Sequence, residues 1–413
     1  MDTIPYGRQW LDEEEIAAVV RTLKGDYLTQ GPQVEEFEEA VAEICGARYA
    51  IAVANGTAAL HLAALASGIR PGDEGITSPN TFLASANCLI YCGATPKFAD
   101  IQADTCCLDP DELKIKLNSR TRVIIPVHFA GQPCDMERIR EIADAWNLTV
   151  IEDAAHALGS RWRDKKGEWH TVGSCSHSHM TIFSFHPVKT ITTGEGGMIL
   201  THDPKIARTL RLLRNHGITK DPSEFQNLDC AFPVHGSTLT APRSNRGTAS
   251  VSSPVPCSFP PWYYEMQELG FNYRITDLQC ALGLVQLRRL PFFLARRREI
   301  WAHYQERLSG IGELVLPKER DGVRSCWHLY AAQAQARDKL LIHLRSRGIG
   351  AHAMYIPVHL QPYYRRRFGY QRGDFPRAEH YFSRSLILPL YPGLTDEVID
   401  YIVEAIRDFY GAG

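Results

Sequence analysis

Residues 149–156 read Thr149-Val150-Ile151-Glu152-Asp153-Ala154-Ala155-His156, an apolar, β-branched run that closes on charged and polar side chains. Val123-Ile124-Ile125-Pro126-Val127 and Thr181-Ile182-Phe183-Ser184-Phe185 have the same build. Runs apolar at successive positions are strands buried on both faces, which is the habit of a parallel sheet covered by helices. In such sheets ligands collect at the carboxyl ends of the strands and at the helix starts that follow, so the polar residues closing each run mark the expected site.

Working outward, the chain alternates strand and helix signals: a helix near 33–45, the apolar run Tyr49 to Ala54, then a helix from about Thr57 to Gly68. This rhythm predicts a three-layer αβα domain with a mainly parallel central sheet, spanning 1–310, followed by a smaller C-terminal α/β domain over 311–413. An N-terminal arm begins with a helix at Asp12, whose capping pair is Glu15, with Ile16, Val19, Val20 and Leu23 on one face. A long helical pattern over 276–309 is expected to break near Pro291. The stretch 221–261 is rich in Pro, Ser, Asn, Gly and Thr without either period, and is expected to be a poorly ordered insert.

Composition narrows the function. The 413 residues carry 45 basic against 47 acidic side chains, with 44% hydrophobic residues, so neither a disordered chain nor a phosphate-tracking surface is indicated. Nucleic acid is not an expected partner. No secretory leader pattern and no long apolar run point to a membrane, and eleven scattered cysteines without a CxxC pair fit reduced thiols, so a cytoplasmic protein is expected. His177 and His179 stand two apart in what reads as a strand, with no third ligand in view, and no metal site is expected.

Three segments carry chemistry. Asn55-Gly56-Thr57-Ala58-Ala59-Leu60 is a small-residue turn opening a helix, a place for a phosphate, although a plain capped helix would read the same way. Asp153 closes a buried strand and needs a cationic partner. Phe183-Ser184-Phe185-His186-Pro187-Val188-Lys189 leads into Thr192-Thr193-Gly194-Glu195-Gly196-Gly197, and a lysine so placed can sit in a partly dry pocket where its amine becomes nucleophilic. The spacing of Asp153 and Lys189 is that of one strand, helix and strand. A carboxylate for a pyridine nitrogen, an amine for an aldehyde and a helix start for a phosphate together describe pyridoxal 5′-phosphate (PLP).

These segments, with Tyr6-Gly7-Arg8-Gln9, Leu28-Thr29-Gln30-Gly31-Pro32, Thr77-Ser78-Pro79-Asn80-Thr81-Phe82, Pro126 to Gln132, Leu269 to Gly283 and Tyr355 to Tyr364, resemble the sugar aminotransferases named for DegT, DnrJ, EryC and StrS. The resemblance implies the PLP-transferase fold of type I, with Lys189 as the Schiff-base lysine and Asp153 as partner of the pyridine nitrogen. It implies that Phe82 stacks on the cofactor ring and that His156 lies near its other face or its phenolic oxygen. Gly56, Thr57, Ala58 and Ser184 would surround the phosphate, and Asn272 would be supplied across a homodimer. Tyr6, Asp26, Tyr27, Leu28, Thr29, Tyr355, Ile356, Pro357 and Val358 would contact the sugar nucleotide.

Within the family the resemblance is to the branch that moves an amino group, expected from L-glutamate, to C4 of a UDP-linked 4-keto-6-deoxy-N-acetyl sugar on the route to pseudaminic acid. A dehydratase of the same fold would be expected to lack the lysine, and a binding protein that has lost turnover would be expected to lack Lys189 or Asp153. Three departures stand out. His179 replaces an expected acidic residue and Met354 an expected histidine, both on the expected sugar side, and 327–336 reads as a poor strand that puts the packing of the small domain in doubt.

Overall fold

The computed structural model describes residues 3–226 and 261–411. They fall into two compact units, Met1–Leu210 with Tyr273–Gly413, and Arg211–Asn272. Most of the 221–261 segment, expected to be poorly ordered, lies outside the described residues.

The first unit is built on a seven-stranded sheet: β1 Tyr49–Val53, β2 Glu74–Thr77, β3 Thr95–Phe98, β4 Thr121–Ile125, β5 Thr149–Asp153, β6 Met180–Ser184 and β7 Gly197–Thr201. Their order across the sheet is β1-β7-β6-β5-β4-β2-β3. β3, β2, β4, β5 and β6 run parallel, while β7 pairs antiparallel with both β6 and β1. The apolar runs at 123–125, 149–151 and 180–183 are buried throughout apart from Thr149, as strands covered on both faces must be.

Among the helices, α1 spans Glu13–Leu23, α2 Pro32–Cys45, α3 Gly56–Ala66, α4 Ala84–Tyr91, α5 Asp277–Arg288 and α6 Leu290–Leu308. The break between α5 and α6 falls at Arg289, with Pro291 in the first turn of α6 where its missing N–H costs nothing. The Asp12–Glu15 capping box of α1 is present. Its apolar face, however, is turned outward: Ile16, Val20 and Leu23 are 52%, 40% and 55% exposed while Glu15 is buried. Glu15 is the reason, since it accepts from Gln286 Nε2 at 2.8 Å and meets Arg289 Nε at 3.1 Å, which fixes the rotation of α1 against α5.

A second core collects Ile300, Tyr304, Tyr330, Leu340, Leu386, Leu388, Ile399 and Ile402. Tyr330–Gln333 is a strand after all, paired in antiparallel register with Ser385–Leu388, so the expectation of a poor strand there is corrected. Its alanines are buried, and β-propensity counts for less where a strand is held by its partner and by packing. The nine cysteines among the described residues are buried. No described helix is long and apolar enough to cross a membrane.

The second unit contains a two-residue antiparallel pairing of Ile218–Thr219 with Glu265–Met266, and Asn272 faces Asn215 in an isolated bridge. Gly217 has φ of +71°, and a Cβ there would lie 1.8 Å from the carbonyl oxygen of Glu268, so only glycine fits that turn.

Candidate active site

The site grows from the carboxyl ends of β5 and β6, which are neighbours in the sheet. Asp153 is the last residue of β5 and is buried. Ser85 of α4 donates to its Oδ2 at 2.6 Å, the Ala155 N–H donates to Oδ1 at 3.1 Å, and Thr81 Oγ1 lies 2.7 Å from Ser85 Oγ. Its carboxylate therefore keeps acceptor capacity on the cleft side.

Lys189 lies five residues past the end of β6, in a turn closed by its N–H donating to the His186 carbonyl at 2.8 Å. Burial pushes the Lys189 amine down to about 8, and the negative charge of Asp153 acts in the opposite sense without cancelling it. The lysine is thus half uncharged at about pH 8, far more than an ordinary lysine, as a nucleophilic amine requires. Arg8, Trp10, Gln286 and the buried Arg297 line a small cavity with it.

His156 follows β5 by three residues and is buried. Its Nε2 is 3.4 Å from the Tyr355 hydroxyl, its ring packs on His328 with centroids 4.5 Å apart, and its Nδ1 is buried without a partner among the described residues. Burial, reinforced by Lys189, holds its proton affinity well below the usual range, so the ring is neutral. Phe82 stands at the cleft mouth, 55% exposed, with its ring 5.8 Å from that of Tyr355.

The turn after β1 supplies a third part. Asn55 caps α3 by accepting from the Ala58 N–H at 2.8 Å, which leaves the N–H groups of Gly56 and Thr57 at the positive end of the helix. A Cβ on Gly56 would lie 2.9 Å from Ser184 Cβ, so glycine lets the turn press against the Ser184 hydroxyl at the end of β6. Backbone donors, a hydroxyl and a helix start converge there, an anion cradle that a side chain at 56 would fill. The donor cradle, the unpartnered Nδ1 of His156 and the Asp153–Lys189 pair fit the chemistry of PLP.

Of the other expected residues, Tyr6 lies near Tyr355, its ring is 5.6 Å from His352, and its carbonyl accepts from Leu390 N–H. Val358 is buried and its N–H donates to the Pro79 carbonyl at 2.8 Å, which seats 355–358 beside the Phe82 segment; Ile356 is half exposed. Asp26 to Thr29 form an exposed loop, tied down where Leu28 and Thr29 meet Asp277 and Thr276 and where Asp277 caps the start of α2 through Gly31 N–H and Gln33 N–H. Asn272 belongs to the second unit and is exposed.

His179 is corrected. It lies at the amino end of β6, exchanging backbone and ring hydrogen bonds with Val150 at 2.9 and 3.0 Å, the far edge of the sheet from Lys189. His177 is in a bend, not a strand, against Trp162 and His170. Met354 is buried in the main core. Sequence reasoning missed Ser85 and His328. Ser85 sits in an unremarkable small-residue helix, but its position four after Thr81 was a faint sign of a paired hydroxyl; His328 had no local signal.

With this geometry in place, comparison with known proteins is decisive. A family model for the DegT/DnrJ/EryC1/StrS aminotransferase family matches residues 9–407. The chain belongs to that family.

It is accordingly an enzyme, a PLP-dependent sugar aminotransferase. The spore coat polysaccharide biosynthesis protein SpsC of Bacillus subtilis strain 168 is 40% identical over 412 residues, 98% of this chain and 96% of SpsC. Helicobacter pylori PseC, an aminotransferase involved in the biosynthesis of pseudoaminic acid, superposes with a TM-score of 0.84 at 27% identity over the whole of both chains. Spr1654 of Streptococcus pneumoniae in its PLP form superposes at 0.83, with 29% identity over 99% of each chain.

Proposed function

We propose that the enzyme transfers the amino group of L-glutamate to C4 of a UDP-linked 4-keto-6-deoxy-N-acetyl sugar, in the branch that leads to pseudaminic acid. The observation that carries the reading is the pairing of Lys189 and Asp153 at adjacent strand ends, beside a donor cradle at Gly56 and Ser184. The likeness to PseC supports the sugar branch, and the likeness to SpsC supports a product destined for a surface polysaccharide or glycan.

PLP, when bound, supplies the electron sink for amino transfer. The protein's part follows from its own groups. Gly56 N–H, Thr57 N–H and Ser184 Oγ bind the phosphate, with Ala58 completing the turn. Asp153, oriented by Ser85, would accept a hydrogen bond from the protonated ring nitrogen, and His156 would present Nδ1 to the phenolic oxygen, the alternative favoured by that atom's lack of a partner among the described residues. Phe82 covers one ring face. Lys189 would hold the cofactor through Nζ and, once displaced by the donor amine, its free amine would move the proton from the donor α-carbon to the cofactor and, in the second half-reaction, from the cofactor to C4 of the sugar.

Tyr6, Asp26, Tyr27, Leu28, Thr29, Tyr355, Ile356, Pro357 and Val358 contact the sugar nucleotide in this reading. Asn272 serves the cofactor across a homodimer in the cytoplasm. The division at residue 310 is part of the same proposal, supported by a second core drawn largely from 327 onward. The test is a two-stage reaction: PLP-loaded enzyme with L-glutamate should release 2-oxoglutarate and bleach, and the UDP-4-keto-6-deoxy-N-acetyl-L-altrosamine substrate should restore the colour and yield an amino sugar by mass spectrometry. Bleaching without recovery would discard this sugar.

A further inference from the structure

Behind His156 lies a second buried imidazole to which the reaction as described gives no task. His328 is 3% exposed, and its ring packs on that of His156 with centroids 4.5 Å apart and planes 35° apart. The segment that carries it is fastened from several directions. Cys326 Sγ donates to the His156 carbonyl at 3.0 Å, Cys326 N–H donates to Ser160 Oγ at 2.9 Å, and Leu329 N–H reaches the Ala130 carbonyl at 3.4 Å. The buried Arg297 of α6 donates through Nη1 to the carbonyls of Trp327, His328 and Leu390 at 3.4, 3.2 and 3.1 Å.

This stretch leads into the strand Tyr330–Gln333, so a strand of the C-terminal part delivers an imidazole to the back of the site. Each of the two rings leaves Nδ1 without a partner among the described residues. An unpartnered Nδ1 on His156 is useful only if the ring cannot rotate or tilt, and the Tyr355 hydroxyl at 3.4 Å is too long a contact to fix it alone.

We infer that His328 is a positioning residue: its ring is the surface on which the His156 imidazole rests, and it fixes the direction in which His156 Nδ1 meets the cofactor. The inference rests on the reading that His156 faces the phenolic oxygen of PLP. The charged and titratable groups around the pair are Lys189, Tyr355, Cys326 and Arg297, with Asp153 beyond Tyr355. Lys189 disfavours a proton on both rings and Arg297 one on His328, so the stack is one of two neutral imidazoles, and a neutral aromatic ring can replace one of them.

The test compares His328→Phe with His328→Leu, which fill similar space with and without a flat ring, in PLP-loaded enzyme without substrate. Two quantities are read: the midpoint of the cofactor's pH-dependent absorption change, and the PLP dissociation constant of the apoprotein, with thermal unfolding as the folding control. His328→Phe is expected to match wild type in both. His328→Leu is expected to move the midpoint by about half a pH unit or more and to weaken PLP several-fold, in line with the loss of one hydrogen bond to a charged group. Equal behaviour of the two variants, whether both match wild type or both depart from it, would overturn the inference while leaving the aminotransferase reading intact. A wild-type protein with no PLP absorption at all would overturn both.

Discussion

Glu152 and Asp153 are consecutive carboxylates on one strand, and their side chains point to opposite faces of the sheet. On the Glu152 side three side chains meet the two oxygens: His128 Nε2 lies at 2.7 Å, Ser178 donates at 2.5 Å and Thr181 at 3.0 Å. On the Asp153 side only Ser85 and the Ala155 N–H donate, and the groups nearby are a lysine with a weakened hold on its proton and a histidine with a bare nitrogen. One face is a finished polar network that holds structure; the other is a set of buried groups awaiting a ligand. Two neighbouring residues of the same type thus differ in function because their surroundings differ in completeness.

The sharpest way to break this contrast is to remove the open side. Lys189→Ala should lower turnover by at least ~10³-fold and Asp153→Ala by about 10²–10³-fold, the usual range for a proton-transfer group and for one electrostatic partner. Both variants should unfold at nearly the wild-type denaturant midpoint, checked by urea titration.

Breaking the closed side should do the reverse. Glu152→Ala leaves His128, Ser178 and Thr181 facing a hole and should cost about 3 kcal/mol of unfolding free energy, while kcat at a temperature where the variant is folded stays within a few-fold of wild type. A Glu152 variant that is stable but inactive would erase the distinction between the faces.

Acid exposes the open side through stability. His156 and His328 bind protons less readily folded than at the ordinary value of 6.5, burial being the main cause, so the unfolded chain takes up more protons as pH falls below that value. Stability contributed by the neutral rings is therefore present above about pH 6.5 and is lost below it, at up to ~1.4 kcal/mol per pH unit for each ring. Urea unfolding between pH 7 and 5 should show a shallower loss in His328→Phe than in wild type.

The smallest effect belongs to the amino edge of the sheet. His179→Ala removes the acceptor for Val150 N–H and should cost about 1 kcal/mol, with steady-state constants unchanged. A changed KM for the sugar nucleotide would restore His179 to the substrate side.

Much of this arrangement is legible in the sequence, because the strands are short apolar runs and the polar residues closing them mark one edge of the sheet. The Asp153–Lys189 spacing already places two adjacent strand ends together, and Asn55-Gly56-Thr57 already reads as a helix start. What sequence pattern does not carry is rotation and depth. α1 turns its apolar face outward because one buried carboxylate, Glu15, finds Gln286 and Arg289 some 270 residues away. His179 goes to the wrong edge because a one-letter string shows that two histidines flank a strand but not where the strand begins. Ser85 and His328 reach the site through tertiary packing alone, which leaves no periodic trace. Tyr330–Gln333 looks poor as a strand only when alanine is judged by propensity, without the partner strand that sits against it.

The central claim is that Lys189 is the amine that anchors PLP. Borohydride reduction of the PLP-loaded protein followed by peptide mass mapping tests it directly, since reduction fixes the cofactor to whichever amine holds it. The expected result is a single phosphopyridoxyl adduct on the peptide containing Lys189. An adduct on another lysine, or none on a protein shown to have bound PLP, would contradict the account.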